Sequence, residues 1–151
     1  MKNKITDKIK KINRRVMVWR IERALDIELF DWQIAKIFDD QPFPDYIQRS
    51  RRAGKTTAQI LFVLLCPKLK RKPRYGFPPR LYVDNRLNNP NGINISYEAA
   101  RLAFFFGEDA VCFKRRAYFI HQMVDIAAKL KAAKIKTHHV EYVYHRRTHH
   151  L

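Results

Sequence analysis

Residues 56–65 read TTAQILFVLL and constrain the fold of this chain more than any other stretch. The run is apolar on nearly every side of a helix, so a helix formed by it must be buried among other elements. Pro67 follows closely and cannot continue a helix, because it lacks an N–H and its ring clashes with the preceding turn. The sequence therefore predicts a buried helix over 56–65, packed between a sheet and neighbouring elements.

The segment leading into this helix reads SRRAGKTT, residues 50–57, and its last four residues match the end of a phosphate-binding loop. Gly54 allows close approach of the backbone, Lys55 can reach terminal phosphates, and Thr56 can hold Mg²⁺. The positive N-terminal end of the following helix would face the phosphates. Arg49 replaces the first glycine of the usual pattern G-x-x-x-x-G-K-[ST], so the entrance of the loop is altered.

SRRAGKTT resembles the altered Walker A loop of large-terminase ATPases, the viral DNA-packaging motors, in which a basic residue stands early in the loop. The residues FDWQ at 30–33 are similar to the aromatic-Gln adenine motif that terminases and helicases carry upstream. More loosely, residues 109–144 resemble the second strand-helix-strand unit of such ATPases. The resemblance covers residues 28–66 and 109–144, makes 68–108 an insertion, and implies an α/β, helix-rich, partial P-loop NTPase-like domain.

The same resemblance implies ATP and Mg²⁺ as cofactors. The cofactor-binding residues that it implies are Gln33, for the adenine edge, and Arg51, Arg52, Gly54, Lys55, Thr56 and Thr57, for the phosphates. The metal ligands that it implies are Thr56 and Asp84, the latter at the end of the apolar run LYVD. Because Asn85 rather than Glu follows Asp84, no carboxylate is named to position the attacking water. We therefore expect ATP binding with turnover near background.

Apolar spacing divides the rest of the chain into short helices and strands. Ile5, Ile9 and Ile12 make residues 2–14 a basic amphipathic helix or an arm on a polyanion, and Val16 and Trp19 continue a helix over 15–28. Other predicted helices cover 31–39, 98–106 and 117–134, predicted strands cover 45–49, 111–113 and 139–144, and NNPNG predicts a β-hairpin near 81–97. We divide the chain into a basic N-terminal segment, 1–14, and a single P-loop-like nucleic-acid-binding domain, 15–151.

The charge of the chain points to a polyanionic partner, DNA or RNA. The 31 lysines and arginines outnumber the 14 acidic residues and give +17 at pH 7, with a pI near 10.2. Such a field makes nucleic-acid binding steeply salt-dependent. The loop 68–80, KLKRKPRYGFPPR, interleaves cations with aromatic side chains that can stack on bases. The nucleic-acid-binding residues predicted there are Lys70, Arg71, Lys72, Arg74, Tyr75 and Phe77.

Two alternatives use the same residues differently. In the first, the chain is a non-enzymatic basic DNA- or RNA-binding or virion protein without a nucleotide site. GKTT is then a basic turn that opens a helix, and Gln33 is a solvated amide beside a core Trp32. In the second, the chain is an interaction protein whose positive surface covers an acidic partner. A homo-oligomer or a larger viral assembly is also an expected partner.

Cysteine usage and hydropathy predict an intracellular protein, in a host cytoplasm or associated with a virus. Cys66 and Cys112 lie in apolar settings without C-x-x-C spacing, as buried thiols do in a reducing compartment. No apolar run reaches the roughly 18 residues of a membrane span. The basic start MKNKITDKIKK lacks the continuous apolar core of a secretion signal.

Overall fold

The computed structural model describes the backbone of residues 2–50, 54–67, 80–83, 92–96 and 112–143, and the side chains of 3–50, 54–67 and 120–140. The helices in these ranges are α1 Lys2–Leu25, α2 Asp31–Asp39, α3 Asp45–Gln48, α4 Lys55–Leu65 and α5 Cys112–Ala132. The strands there are β1 Arg80–Val83, β2 Gly92–Ser96 and β3 Val140–Val143. The predicted helix 98–106 lies outside the described residues.

The core is built around α4, whose burial confirms the prediction for residues 56–65. Leu61 and Leu64 are fully buried, and α4 packs against α2 and α5. Other fully buried side chains of the core are Ala58, Ile60 and Val63 of α4, Ile21 of α1, and Met123, Ala127 and Leu130 of α5. Burial of one such side chain contributes about 1.5–3 kcal/mol. Truncation of Leu61 or Leu64 to alanine therefore costs about 2–5 kcal/mol, because the cavity adds to the lost transfer energy.

Helix α1 is unbroken from Lys2 to Leu25 and runs through the boundary placed at residue 14. Its second half is anchored to the rest of the structure. Ile21 is fully buried, and the Arg14 guanidinium makes two hydrogen bonds of 2.8 and 3.0 Å to the Asp39 carboxylate. The side chains of residues 3–13 are all exposed, so the first half of α1 projects from the described body.

The turn that follows α5 is tied to α1 through its main-chain carbonyls. One guanidinium nitrogen of Arg20 donates to the carbonyl oxygens of Ala133 and Lys134, at 3.4 and 3.1 Å. Carbonyl oxygens at the C-terminal end of a helix receive no hydrogen bond from an N–H group of the same helix. Arg20 supplies the missing donor and places a positive charge at the negative end of the α5 dipole.

A second tie joins the residues after α5 to the end of α4. The backbone N–H of His138 donates to the carbonyl oxygen of Leu64 at 2.7 Å. The His139 Nε2 lies 2.8 Å from the carbonyl oxygen of Cys66. These contacts hold the approach to β3 against the C-terminal end of the central helix.

The three described strands form a small antiparallel sheet in the order β1-β2-β3. β1 pairs with β2 from Arg80 opposite Ser96 to Val83 opposite Ile93, within the range of the predicted hairpin. β3 pairs with the other edge of β2, at the position of the strand predicted over 139–144.

The predicted α/β P-loop fold is wrong. Such a domain needs a central sheet, whereas the described part of the chain is helix-rich and none of its three short antiparallel strands leads into GKTT. Residues 45–48, where the P-loop fold requires a strand, form α3 instead. Pro44 precedes this helix with a fixed φ. The carboxylate of Asp45 lies in the first turn, where its negative charge interacts favourably with the positive end of the helix dipole. The strand predicted over 111–113 is also wrong, because α5 begins at Cys112.

Candidate functional site

The GKTT segment forms the start of α4. Gly54 occupies the N-cap position with φ +91°, a left-handed conformation that L side chains rarely adopt. A Cβ at this position would lie 2.7 Å from the Nε2 atom of Gln33. The glycine of the motif is therefore required by the local backbone and by the close approach of Gln33.

Gln33 joins the start of α2 to the start of α4. Only 4% of this residue is exposed. Its Nε2 donates to the carbonyl oxygen of Gly54 at 3.1 Å, and its Oε1 accepts the backbone N–H of Phe30 at 2.9 Å. The second bond is the glutamine half of a capping box at the start of α2. Both ends of the amide that the ATPase resemblance assigns to adenine are thus bonded to the main chain.

Lys55 crosses from α4 to the end of α3. Its Nζ donates to the carbonyl oxygen of Gln48 at 3.0 Å. Thr56 and Thr57 follow in the first helical turn and are half-buried. Gly54 provides no side chain to cap this turn, so the N-terminal end of α4 keeps its positive partial charge beside the Lys55 ammonium.

Trp32, the aromatic residue of FDWQ, packs in a local aromatic cluster. Its ring stacks parallel to Phe30, with centroids 6.3 Å apart, and meets Phe43 edge-on at 5.5 Å. Phe43 in turn lies 6.0 Å from the ammonium of the buried Lys36. Of the two residues that the resemblance assigns to adenine, Gln33 contacts the GKTT segment, and Trp32 packs in this aromatic cluster.

Several predicted site residues lie outside the described residues. They are Arg51 and Arg52 of the SRRAGKTT segment, Asp84, and the loop residues Lys70, Arg71, Lys72, Arg74, Tyr75 and Phe77. Among the residues whose positions are described, no group of three His, Cys, Asp or Glu side chains could hold a metal ion. The roles proposed for ATP and Mg²⁺ stay predictions.

A basic stripe on α1 was not recognised from the sequence as a separate surface. We define it as Lys4, Lys8, Lys11 and Arg15, which are all exposed. Their successive spacings of four, three and four residues place them on one side of the helix. The lysine-rich composition of residues 2–14 was the available signal, but only the helix bounds show that four cations align.

A second cationic surface lies after the end of α5. Lys131, Lys134 and Lys136 border an open groove of about 330 Å³, together with Ile135 and Thr137. Lys134 has φ +59°, the left-handed conformation that ends many helices.

The neighbouring His138 is electrostatically coupled to this surface. Burial lowers the pKa of His138 from its ordinary value, and the charges of Lys136 and His139 lower that pKa further. The cationic surface therefore favours the neutral imidazole.

Comparisons with known proteins add no relative. No protein-family model, curated protein or solved structure matches this chain. Within the described ranges, no helix combines the length and apolar character needed to cross a membrane.

Proposed function

We propose that this protein binds nucleic acid and that the basic stripe of α1, Lys4, Lys8, Lys11 and Arg15, contacts the phosphate backbone. The observation that carries the proposal is the alignment of four exposed cations on a helix whose first half projects from the body. From Lys4 to Arg15 the stripe is about 16 Å long, at 1.5 Å per residue. Each cation that neutralises a phosphate releases a condensed counterion, which favours binding at low salt.

The shape of α1 favours duplex DNA over duplex RNA. The major groove of B-DNA admits an α-helix, whereas the major groove of A-form RNA is too deep and narrow for side chains to read. The projecting half of α1 can approach such a groove from its open side, because residues 3–13 are exposed all round. The overall charge of +17 adds a long-range attraction to any polyanion.

The test is fluorescence anisotropy with labelled duplex DNA, duplex RNA and single-stranded DNA over a range of salt concentrations. One variant changes the four stripe residues to glutamine. The matched control changes Lys129, Lys131, Lys134 and Lys136 to glutamine, which removes the same charge from the end of α5. We expect the stripe variant to bind duplex DNA more than tenfold more weakly. Its log–log salt slope should be flatter by roughly three to four units.

The control variant distinguishes binding through the basic stripe from binding that depends only on the total positive charge of the protein. If both variants lose affinity equally, total charge rather than the stripe governs binding, and the proposed interface is wrong. If the wild type binds none of the three nucleic acids at low salt, nucleic-acid binding itself is wrong. Preserved thermal stability is expected in the stripe variant because all four side chains are exposed.

A further inference from the structure

Helix α1 carries an exposed line of apolar side chains that the core does not use. We define this apolar seam as Ile5, Ile9, Ile12, Val16 and Trp19. Their exposed fractions are 64, 51, 60, 50 and 56%, respectively. The seam is about 21 Å long. Scattered exposed apolar residues are ordinary, but a continuous line of five on one helix marks an interaction surface.

The seam lies on the side of α1 that faces away from the body. At 3.6 residues per turn, its members fall within an arc of roughly 80°, and Ile21 projects from nearly the opposite side. Ile21 is fully buried, and Met17, Val18, Ala24 and Leu25 pack with it against the core. The helix therefore has two apolar faces, one satisfied by its own fold and one exposed to solvent.

The spacing of the seam identifies a helix as its occupant. Successive members are four, three, four and three residues apart, which is the spacing of the a and d positions in the heptad of a coiled coil. Ile9 and Val16 take the a positions, and Ile5, Ile12 and Trp19 take the d positions. A helix that rests on a broad apolar surface shows a stripe wider than about 100°, whereas a strict a/d seam is narrower. The narrow seam thus fits the groove of one partner helix better than the surface of a membrane.

The charges beside the seam identify an acidic partner. Lys8 and Arg15 occupy the g positions and Arg20 an e position, and α1 contains nine basic residues against two acidic ones. In a parallel pair of two copies, Arg15 would face Arg20 of the second copy, and like charges at these positions oppose pairing. Glutamate or aspartate at the facing positions would instead form interhelical ion pairs.

We propose that the apolar seam of α1 is the docking surface for an acidic amphipathic helix of another protein, which pairs with α1 as a two-stranded coiled coil. Trp19 forms the last apolar layer. The Arg23 guanidinium lies 4.9 Å from its ring and takes the next a position, so the apolar contact ends there. Lys8 and Arg15 belong to the basic stripe and also flank the seam, so the acidic helix competes with nucleic acid for them.

The experiment uses the full chain and a synthetic peptide three heptads long, with Ile at a, Leu at d and Glu at e and g. A control peptide has Lys in place of Glu. Calorimetric titration is expected to show binding of the acidic peptide only. Ile9→Ser and Ile12→Ser should each weaken that binding about tenfold or more, since each removes a buried apolar side chain from the interface. Ile27→Ser, an apolar exposed residue outside α1, is the matched control and should bind like the wild type.

Circular dichroism of the two seam variants must show unchanged helix content. The proposal is overturned if the acidic peptide does not bind, or if the seam variants bind it as tightly as the wild type, because attraction would then be purely electrostatic. Concentration-dependent dimerisation that Ile9→Ser abolishes would make a second copy the occupant instead. Binding to equimolar phosphatidylcholine–phosphatidylserine vesicles that requires Ile9 and Ile12, without binding of the peptide, would make a membrane the occupant.

Discussion

The Nε2 atom of Gln33 lies 3.1 Å from the carbonyl oxygen of Gly54, and this bond joins two helix starts that are 21 residues apart in sequence. The Gly54 carbonyl also accepts the backbone N–H of Ala58 at 3.1 Å, the first bond of α4. A buried amide that bridges two helix ends fixes their relative position more firmly than apolar packing, because hydrogen bonds have a preferred direction. The glycine of GKTT thus has a structural role in this fold, because its carbonyl oxygen connects α4 to α2.

Gly54→Ala should destabilise the protein by about 2 kcal/mol or more. The left-handed backbone alone costs a non-glycine residue about 1–2 kcal/mol, and the new methyl group meets Gln33 at 2.7 Å. Urea denaturation followed by circular dichroism measures the change. In the Gln33→Ala background the same substitution should cost less, because the contact has been removed. An equal cost in both backgrounds would show that the close approach of Gln33 does not matter.

Mg-ATP should raise the melting temperature if Lys55 contacts phosphates. A ligand that binds only the folded state stabilises it by about 2.7 kcal/mol at one hundred times its Kd. Lys55→Ala should abolish the increase, and Lys134→Ala, an exposed lysine elsewhere, should preserve it. No increase at millimolar Mg-ATP would end the nucleotide hypothesis.

ATP turnover should remain near background even if Mg-ATP binds. The reason is that Asn85, and not a glutamate, follows Asp84, so the carboxylate that would position the attacking water is missing there. Phosphate release, measured with and without DNA, tests this expectation. Robust DNA-stimulated release that Asp84→Ala abolishes would contradict it and would assign the metal to Asp84.

Lys36→Met should leave the free energy of unfolding within about 1 kcal/mol of the wild type or increase it. The Lys36 ammonium is 2.6 Å from a carboxylate oxygen of Asp40 and 4.6 Å from the ring centroid of Phe62, with only 7% of the residue exposed. Replacement of a buried charge by an apolar side chain of similar length removes its desolvation cost. Lys36→Ala is the comparison and should cost about 2 kcal/mol, because the apolar stem is lost as well. A larger loss in Lys36→Met than in Lys36→Ala would contradict this account.

Acidification should reduce stability in part through His138. Because burial, Lys136 and His139 lower the pKa of His138 in the folded state, the unfolded chain binds a proton more readily. The contribution of His138 is therefore fully present above pH 6.5, the ordinary histidine value, and is lost as the pH falls below it toward the folded pKa. Melting temperatures at pH 7.5 and 5.5 should differ less in His138→Gln than in the wild type. An equal difference in His138→Gln and in the wild type would contradict this contribution.

The helices with a clear apolar period were predictable from the sequence, and the joints between them were not. The range 31–39 coincides with α2, and the predicted burial of 56–65 is confirmed in α4. The strand predicted over 45–49 is wrong because two apolar residues do not distinguish a strand from a short helix. Pro44 and Asp45 favour the helix, and the structure has α3 at this position. The bond between Gln33 and Gly54 connects distant segments, so no local pattern could predict it.

The two faces of α1 show the same limit. Spacing correctly indicated a helix through Val16 and Trp19, but it did not show which side of that helix the core buries. The structure buries Ile21 on the opposite side and leaves Trp19 more than half exposed. The shape of the core decides which of two apolar stripes a helix buries. That shape depends on contacts between distant segments, so the local spacing of apolar residues does not reveal it.

The tie between Arg20 and the carbonyls of Ala133 and Lys134 spans more than 110 residues of sequence and has a consequence for synthesis. Ile21 belongs to the same core cluster as Met123 and Leu130 of α5, so this core cannot be completed until α5 has left the ribosome. Contacts between distant segments slow folding, since a long loop must close before they form. During that interval the nascent chain displays both apolar faces of α1, and shielding by a chaperone or by an early partner would be most useful then.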